Sequence, residues 1–146
     1  MSLITKYPVA IAAVFIWIGF VGAISFMEAW LKFRAPGITL PLGLGIGRLV
    51  FGALNKVELV LSITIVLSML FSGIKGFEWK HMFFVIPFVI VIIQGLWFLP
   101  ALDVRAEMHI QGQEVSHSSL HFYYVGMEVV KIICLLIFGI KLIKPI

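Results

Sequence analysis

Four long apolar segments dominate this sequence and limit what it can fold into. They run from Pro8 to about Leu31, from about Val57 to Ile74, from Met82 to Leu102, and from about Ser119 to Ile140. A helix needs about 20 predominantly apolar residues to cross roughly 30 Å of bilayer hydrocarbon. We therefore predict an all-α integral membrane bundle of four transmembrane helices with up-down topology, forming a single domain over residues 1–146.

The composition agrees with a chain whose surface faces lipid. Charged residues make up only 12% of the sequence, whereas an average soluble domain has about 25%. The net charge of +4 comes from basic residues scattered between the apolar segments, so we expect membrane lipids as partners and no nucleic acid. The single cysteine, Cys134, excludes an internal disulfide and a CxxC redox centre.

The orientation and the first linker are predicted from charges and glycines. Each side of the predicted bundle carries five Lys or Arg residues, so the positive-inside rule alone does not decide the orientation. The shorter flanks near Lys6 and Lys144 favour cytoplasmic termini, and we expect a multi-pass protein of the bacterial inner membrane. The glycine-rich linker from Phe33 to Leu54 predicts a short interfacial helix between the first two spans, with Arg48 reaching the headgroups.

Polar side chains inside the predicted spans are the candidate functional residues, because such groups are expensive in hydrocarbon. Glu128 and Lys131 fall near the bilayer midplane, while the shallower polar groups share the half of the bilayer that holds Asp103. Residues three, four and seven apart share a helix face, so the polar groups predict a one-sided pocket. Its predicted ligand-binding residues are Glu28, Asn55, Glu58, Gln94, His121, Tyr124, Glu128 and Lys131.

Three functions remain open on these residues. The first is the binding or translocation of a small polar or cationic ligand, or of a proton. The second is a membrane enzyme that acts on a lipid, isoprenoid or quinone-like substrate through Glu and His acid–base residues. The third is a structural or assembly subunit, and a homo-oligomer fits any of the three. The intramembrane carboxylates Glu28, Glu58 and Glu128 belong to no ExxH or HExxH pair, so we expect no metal site, and no motif indicates a cofactor.

Three short runs resemble a known family. They are GIGRLVFGALNKVE before the second span, LDVRAE at the end of the third span, and SLHFYYVGMEVVK at the start of the fourth. Together they resemble small four-helix bacterial membrane proteins of unknown function, which are related to the eukaryotic membrane proteins linked to cisplatin resistance. The resemblance implies the same four-helix topology and carries no established reaction.

Overall fold

The computed structural model describes residues 6–143 and consists of four long helices. The first helix covers Pro8–Arg34, the second Leu40–Phe71 and the third Trp79–Ile110. The fourth covers Leu120–Ile143. The predicted all-α class is therefore confirmed for the described part of the chain.

Consecutive helices in the bundle run in opposite directions. Ser25, late in the first helix, bonds to Glu128, early in the fourth. Val14, nearer the start of the first helix, lies against Gly139, near the end of the fourth. The described chain therefore begins and ends at the same end of the bundle, as up-down topology requires, whereas Lys144 lies outside the described residues.

Three of the helices are long and apolar enough to cross a membrane: the first, the second and the third. Large apolar side chains cover the outside of the bundle, and Leu49, Phe71 and Leu96 are each more than three-quarters exposed. A surface of this kind is typical of lipid contact. The fourth helix has 24 residues. Its two central charged side chains, Glu128 and Lys131, are fully buried, whereas Lys141 near its end is exposed.

The second helix is longer than predicted, and the prediction of a separate interfacial helix between the first two spans is wrong. One continuous helix of 32 residues starts at Leu40, so the linker contains only residues 35–39. Thr39 caps this helix by accepting the Leu42 N–H at 3.4 Å. Gly43 lies so close to the Phe33 ring that a Cβ there would overlap it. Packing against the first helix therefore outweighs the low helix propensity of the glycines.

The third helix also extends beyond its predicted end at Leu102 and continues to Ile110. Pro87 and Pro100 both lie within this helix, and neither ends it. A π-helical segment, Gln94–Phe98, immediately precedes Pro100. Such local changes of hydrogen bonding accommodate the N–H that a proline lacks within a membrane helix.

The apolar core occupies the end of the bundle where the described chain begins and ends. Its members come from all four helices and include Ala10, Val14, Ile65, Met69, Phe84, Leu135, Phe138 and Leu142. Buried polar groups concentrate nearer the middle, so the core forms an apolar base beneath them.

Candidate functional site

Lys131 is the centre of a fully buried polar cluster. Its Nζ lies 2.5 Å from Glu58 Oε2 and 2.7 Å from Glu128 Oε1. Its third partner is Gln94 Oε1, at 2.8 Å. An ammonium has three N–H donors, so all three are satisfied here. We call Glu58, Gln94, Glu128 and Lys131, each 0% exposed, the inner cluster.

The two carboxylates of the inner cluster differ in their hydrogen bonds. Glu128 uses both oxygens: Oε1 also accepts the Gln94 Nε2 hydrogen at 2.7 Å, and Oε2 accepts the Ser25 hydroxyl at 2.6 Å. Glu58 uses only Oε2, which also accepts the Trp17 indole N–H at 2.6 Å. Glu58 Oε1 is buried without a partner among the described residues. Glu128 therefore accepts hydrogen bonds from the described residues on both of its oxygens, whereas Glu58 accepts them on only one.

All four helices contribute side chains to this arrangement. The first and third helices are π-helical at the residues that bond to Glu128. Ser25 lies in the π-helical segment Gly22–Glu28 of the first helix. Gln94 opens the π-helical segment Gln94–Phe98 of the third helix. Both side chains donate to Glu128. π-helical turns within α-helices occur frequently at functional sites, so the inner cluster is the candidate functional site.

The formal charges of the inner cluster do not balance. It holds one ammonium, on Lys131, and two carboxyl groups, on Glu58 and Glu128. All three groups are completely buried. With every group ionised, the cluster would carry one uncompensated negative charge, and an unpaired buried charge costs several kcal/mol, about 3–5 when one partner of a buried pair is removed.

A cavity of about 320 Å³ lies between the inner cluster and the end of the bundle that holds Asp103; we call it the outer cavity. Its walls come from the end of the first and third helices and the start of the second and fourth. Tyr124 lines it and packs edge-on against Phe51, with ring centroids 5.4 Å apart. Tyr124 lies one helical turn before Glu128 on the same face, and its buried hydroxyl has no partner among the described residues.

Basic side chains surround the outer cavity more than acidic ones do. Arg48 pairs with Asp103, at 3.7 Å, and with Glu107. Lys32, whose side chain is 10% exposed, pairs with Glu28 at 3.2 Å. The remaining basic groups on its lining are Arg105, His109 and His121.

The structure divides the predicted pocket residues between two levels and leaves two of them outside both groups. Glu58, Gln94, Glu128 and Lys131 form the inner cluster, while His121 and Tyr124 line the outer cavity. Glu28 pairs with Lys32, which lines the outer cavity, but Glu28 is not itself on the lining. The Asn55 amide donates to the Val91 carbonyl at 3.1 Å. A role of these residues in ligand binding stays a prediction.

Two residues that the sequence prediction did not select bond to the inner cluster, Trp17 to Glu58 and Ser25 to Glu128. A signal for Trp17 does exist, because a buried indole N–H usually finds a hydrogen-bond acceptor. Here that acceptor is Glu58 of the second helix.

Metal binding is not a property that the described residues suggest. Within residues 6–143, no three His, Cys, Asp or Glu side chains lie together in a way that would hold a metal ion. Of the carboxylate and imidazole groups within the predicted spans, Glu58 and Glu128 share the inner cluster. Glu28 pairs with Lys32, and His121 lines the outer cavity.

No protein family, curated protein or solved structure matches this chain. The resemblance to the four-helix bacterial proteins related to cisplatin-resistance proteins therefore stays a prediction.

Proposed function

We propose that this chain is a multi-pass membrane protein that binds a proton at the inner cluster. The observation that carries the proposal is the charge count: two buried carboxyl groups share the single ammonium of Lys131. One bound proton makes the cluster neutral, which removes the cost of an unpaired charge in a medium of low dielectric.

Hydrogen bonding selects Glu58 as the site of that proton. Donors stabilise an ionised carboxylate, and Glu128 accepts donors on both of its oxygens. Glu58 Oε1 accepts none from the described residues. A proton on this atom leaves every hydrogen bond of the cluster in place, including those to Trp17 and Lys131.

The outer cavity provides the side from which a proton reaches the cluster. Tyr124 lines this cavity and lies one turn from Glu128, and its hydroxyl is able both to donate and to accept a hydrogen bond. The apolar core closes the other end. We therefore assign the protein one-sided proton binding, with translocation requiring a rearrangement of that core.

The proposal includes a four-span topology with both ends on one side. The fourth helix is antiparallel to the first, and its two central charges are buried. In sealed vesicles, cysteines placed at Lys6 and Lys141 should be labelled from the same side by an impermeant maleimide. A cysteine at Arg105 should be labelled only from the opposite side. Labelling of all three from one side would contradict the topology, and Cys134→Ser provides the background without the native thiol.

Infrared difference spectroscopy of the protein in lipid tests the proton directly. The wild type should show the C=O band of one protonated carboxylic acid at neutral pH, with a shift in D₂O. The band should disappear in Glu58→Gln and also in Glu128→Gln, because either change leaves one carboxylate for one ammonium. Glu28→Gln is the matched control, since Glu28 belongs to a partly exposed pair, and it should keep the band. A wild type without the band would contradict the proposal.

A second candidate function is purely structural, and the complete burial of Lys131 favours it. In that case the inner cluster serves only to hold the four helices together, in a protein that acts as a structural or assembly subunit. Titration of the infrared band separates the two candidates. A proton-binding function requires the band to change with pH while the protein stays folded, whereas a structural cluster keeps it until the protein unfolds.

A further inference from the structure

The outer cavity has a chemical character of its own, distinct from the inner cluster. Along the third helix its lining runs from Leu99 through Leu102 to Arg105 and His109. His109 lies ten positions after Leu99, which is about 15 Å by helical rise. The apolar end lies towards the inner cluster, and the basic end lies at the opening.

From this gradient we infer that the outer cavity binds the phosphate headgroup of an anionic membrane lipid, with the adjoining part of the lipid against its apolar wall. Arg105 is the main recognition residue. It donates to the Ser116 carbonyl and has no acidic partner among the described residues. A guanidinium has five N–H donors in a planar fork that suits phosphate oxygens, so most of its donors remain available.

Other groups at the opening add to the selection of an anion. His109 and His121 line the cavity beside Arg105, and neither forms an ion pair among the described residues. The only acid on the lining, Asp103, is already within 3.7 Å of Arg48. An entering cation would therefore meet a paired carboxylate, whereas an entering phosphate would meet basic groups that have donors to spare.

The apolar end of the cavity, towards the inner cluster, favours an amphiphile over a free inorganic anion. Phe51, Leu99 and Tyr124 line this part, and the Lys32 ammonium lies over the Phe33 and Phe51 rings at 5.5 and 5.7 Å. Burying such a wall against hydrocarbon is favourable by about 25 cal/mol per Å². Inorganic phosphate would contact only the basic groups at the opening and would leave the apolar end of the cavity in contact with water.

Lipid retention in nanodiscs tests the inference. Nanodiscs with equal amounts of phosphatidylglycerol and phosphatidylcholine are dissolved in mild detergent, and lipid bound to the wild-type protein is counted by native mass spectrometry. We expect one retained phosphatidylglycerol in excess over phosphatidylcholine. Arg105→Gln should reduce that retention about tenfold, since hydrogen bonds to a charged group are worth about one power of ten in affinity.

Arg34→Gln is the matched control for general attraction of anionic lipid. Arg34 belongs to the same end of the bundle, lies over the Trp30 ring at 5.3 Å and is absent from the cavity lining, so this variant should retain lipid as the wild type does. Equal retention of the two lipids by the wild type would overturn the inference. So would equal losses in the two arginine variants.

The competition arm separates a lipid from a soluble source of phosphate. Inorganic phosphate added in excess should leave the retained phosphatidylglycerol in place, and its displacement of the lipid would overturn the lipid assignment. Glu58→Gln should retain lipid normally, because Glu58 lies outside the cavity lining. The failure of proton binding and the failure of lipid binding are therefore distinguishable.

Discussion

The charge count at the inner cluster predicts a strongly non-additive pair of substitutions. Glu58→Gln and Glu128→Gln each leave Lys131 with one carboxylate, at 2.7 or 2.5 Å respectively. Each pair is worth of order 6 kcal/mol in gross attraction at an effective dielectric constant of about 20. Either single substitution keeps one such pair, so the expected loss is that of an altered hydrogen bond, about 1 kcal/mol.

The double variant removes both counterions of Lys131. Its ammonium is then buried without an opposite charge, which costs about 3–5 kcal/mol beyond the sum of the single variants. For a chain of about 150 residues, 1 kcal/mol corresponds to about 2–4 °C in Tm. We therefore expect a further fall of about 6–20 °C, measured by the loss of helical circular dichroism in detergent. Adding Lys131→Met to the double variant should restore most of the Tm, because the cluster becomes neutral again.

Additive effects would refute this reasoning. If the double variant loses only the sum of the two single changes, Lys131 does not depend on these carboxylates for its charge balance. If either single variant already unfolds, the cluster holds no excess carboxyl group, and the bound proton is excluded. Glu28→Gln controls for the general effect of removing an acid, and we expect it to change stability by less than about 1 kcal/mol because its pair with Lys32 is partly exposed.

Two further predictions concern packing and surface charge. Gly95→Ala should lower the Tm, since its Cβ would lie 2.6 Å from Asn55 Oδ1, whereas Gly126→Ala, with nothing within 4 Å of its Cβ, should raise helix stability by up to about 1 kcal/mol. Arg48→Gln removes half-exposed ion pairs with the third helix, so we expect a loss below about 1 kcal/mol that becomes smaller in thermal unfolding at high salt.

Much of the fold follows from the pattern of the sequence, and the errors lie at the ends of helices. Hydropathy locates the hydrocarbon-crossing part of a helix but does not report where its hydrogen bonding stops. The second helix therefore starts at Leu40 rather than Val57. The third ends at Ile110 rather than Leu102. In both cases the additional turns pack against neighbouring helices, which a local hydropathy signal cannot register.

The candidate site was predictable where helical spacing alone decides it. Glu128 and Lys131 are three residues apart, so their pairing follows from one helix. Glu58 was predicted to line the same pocket at a shallower level, and its ion pair with Lys131 was not predicted. Trp17 and Ser25 were missed because their roles depend on how helices rotate against one another. Spacing within a single helix does not determine that rotation.

The π-helical segment around Ser25 has a consequence for insertions and deletions. In a regular α-helix, removing one residue rotates everything beyond it by about 100°, which would misdirect one whole side of the helix. Here the wider turns of Gly22–Glu28 are able to contract to α-helical hydrogen bonding and absorb a one-residue deletion. The segments on either side would keep their register, and only the direction of the Ser25 hydroxyl would change. We therefore expect the first helix to tolerate a one-residue deletion in this segment, and the deletion to weaken the hydrogen bond that Ser25 donates to Glu128.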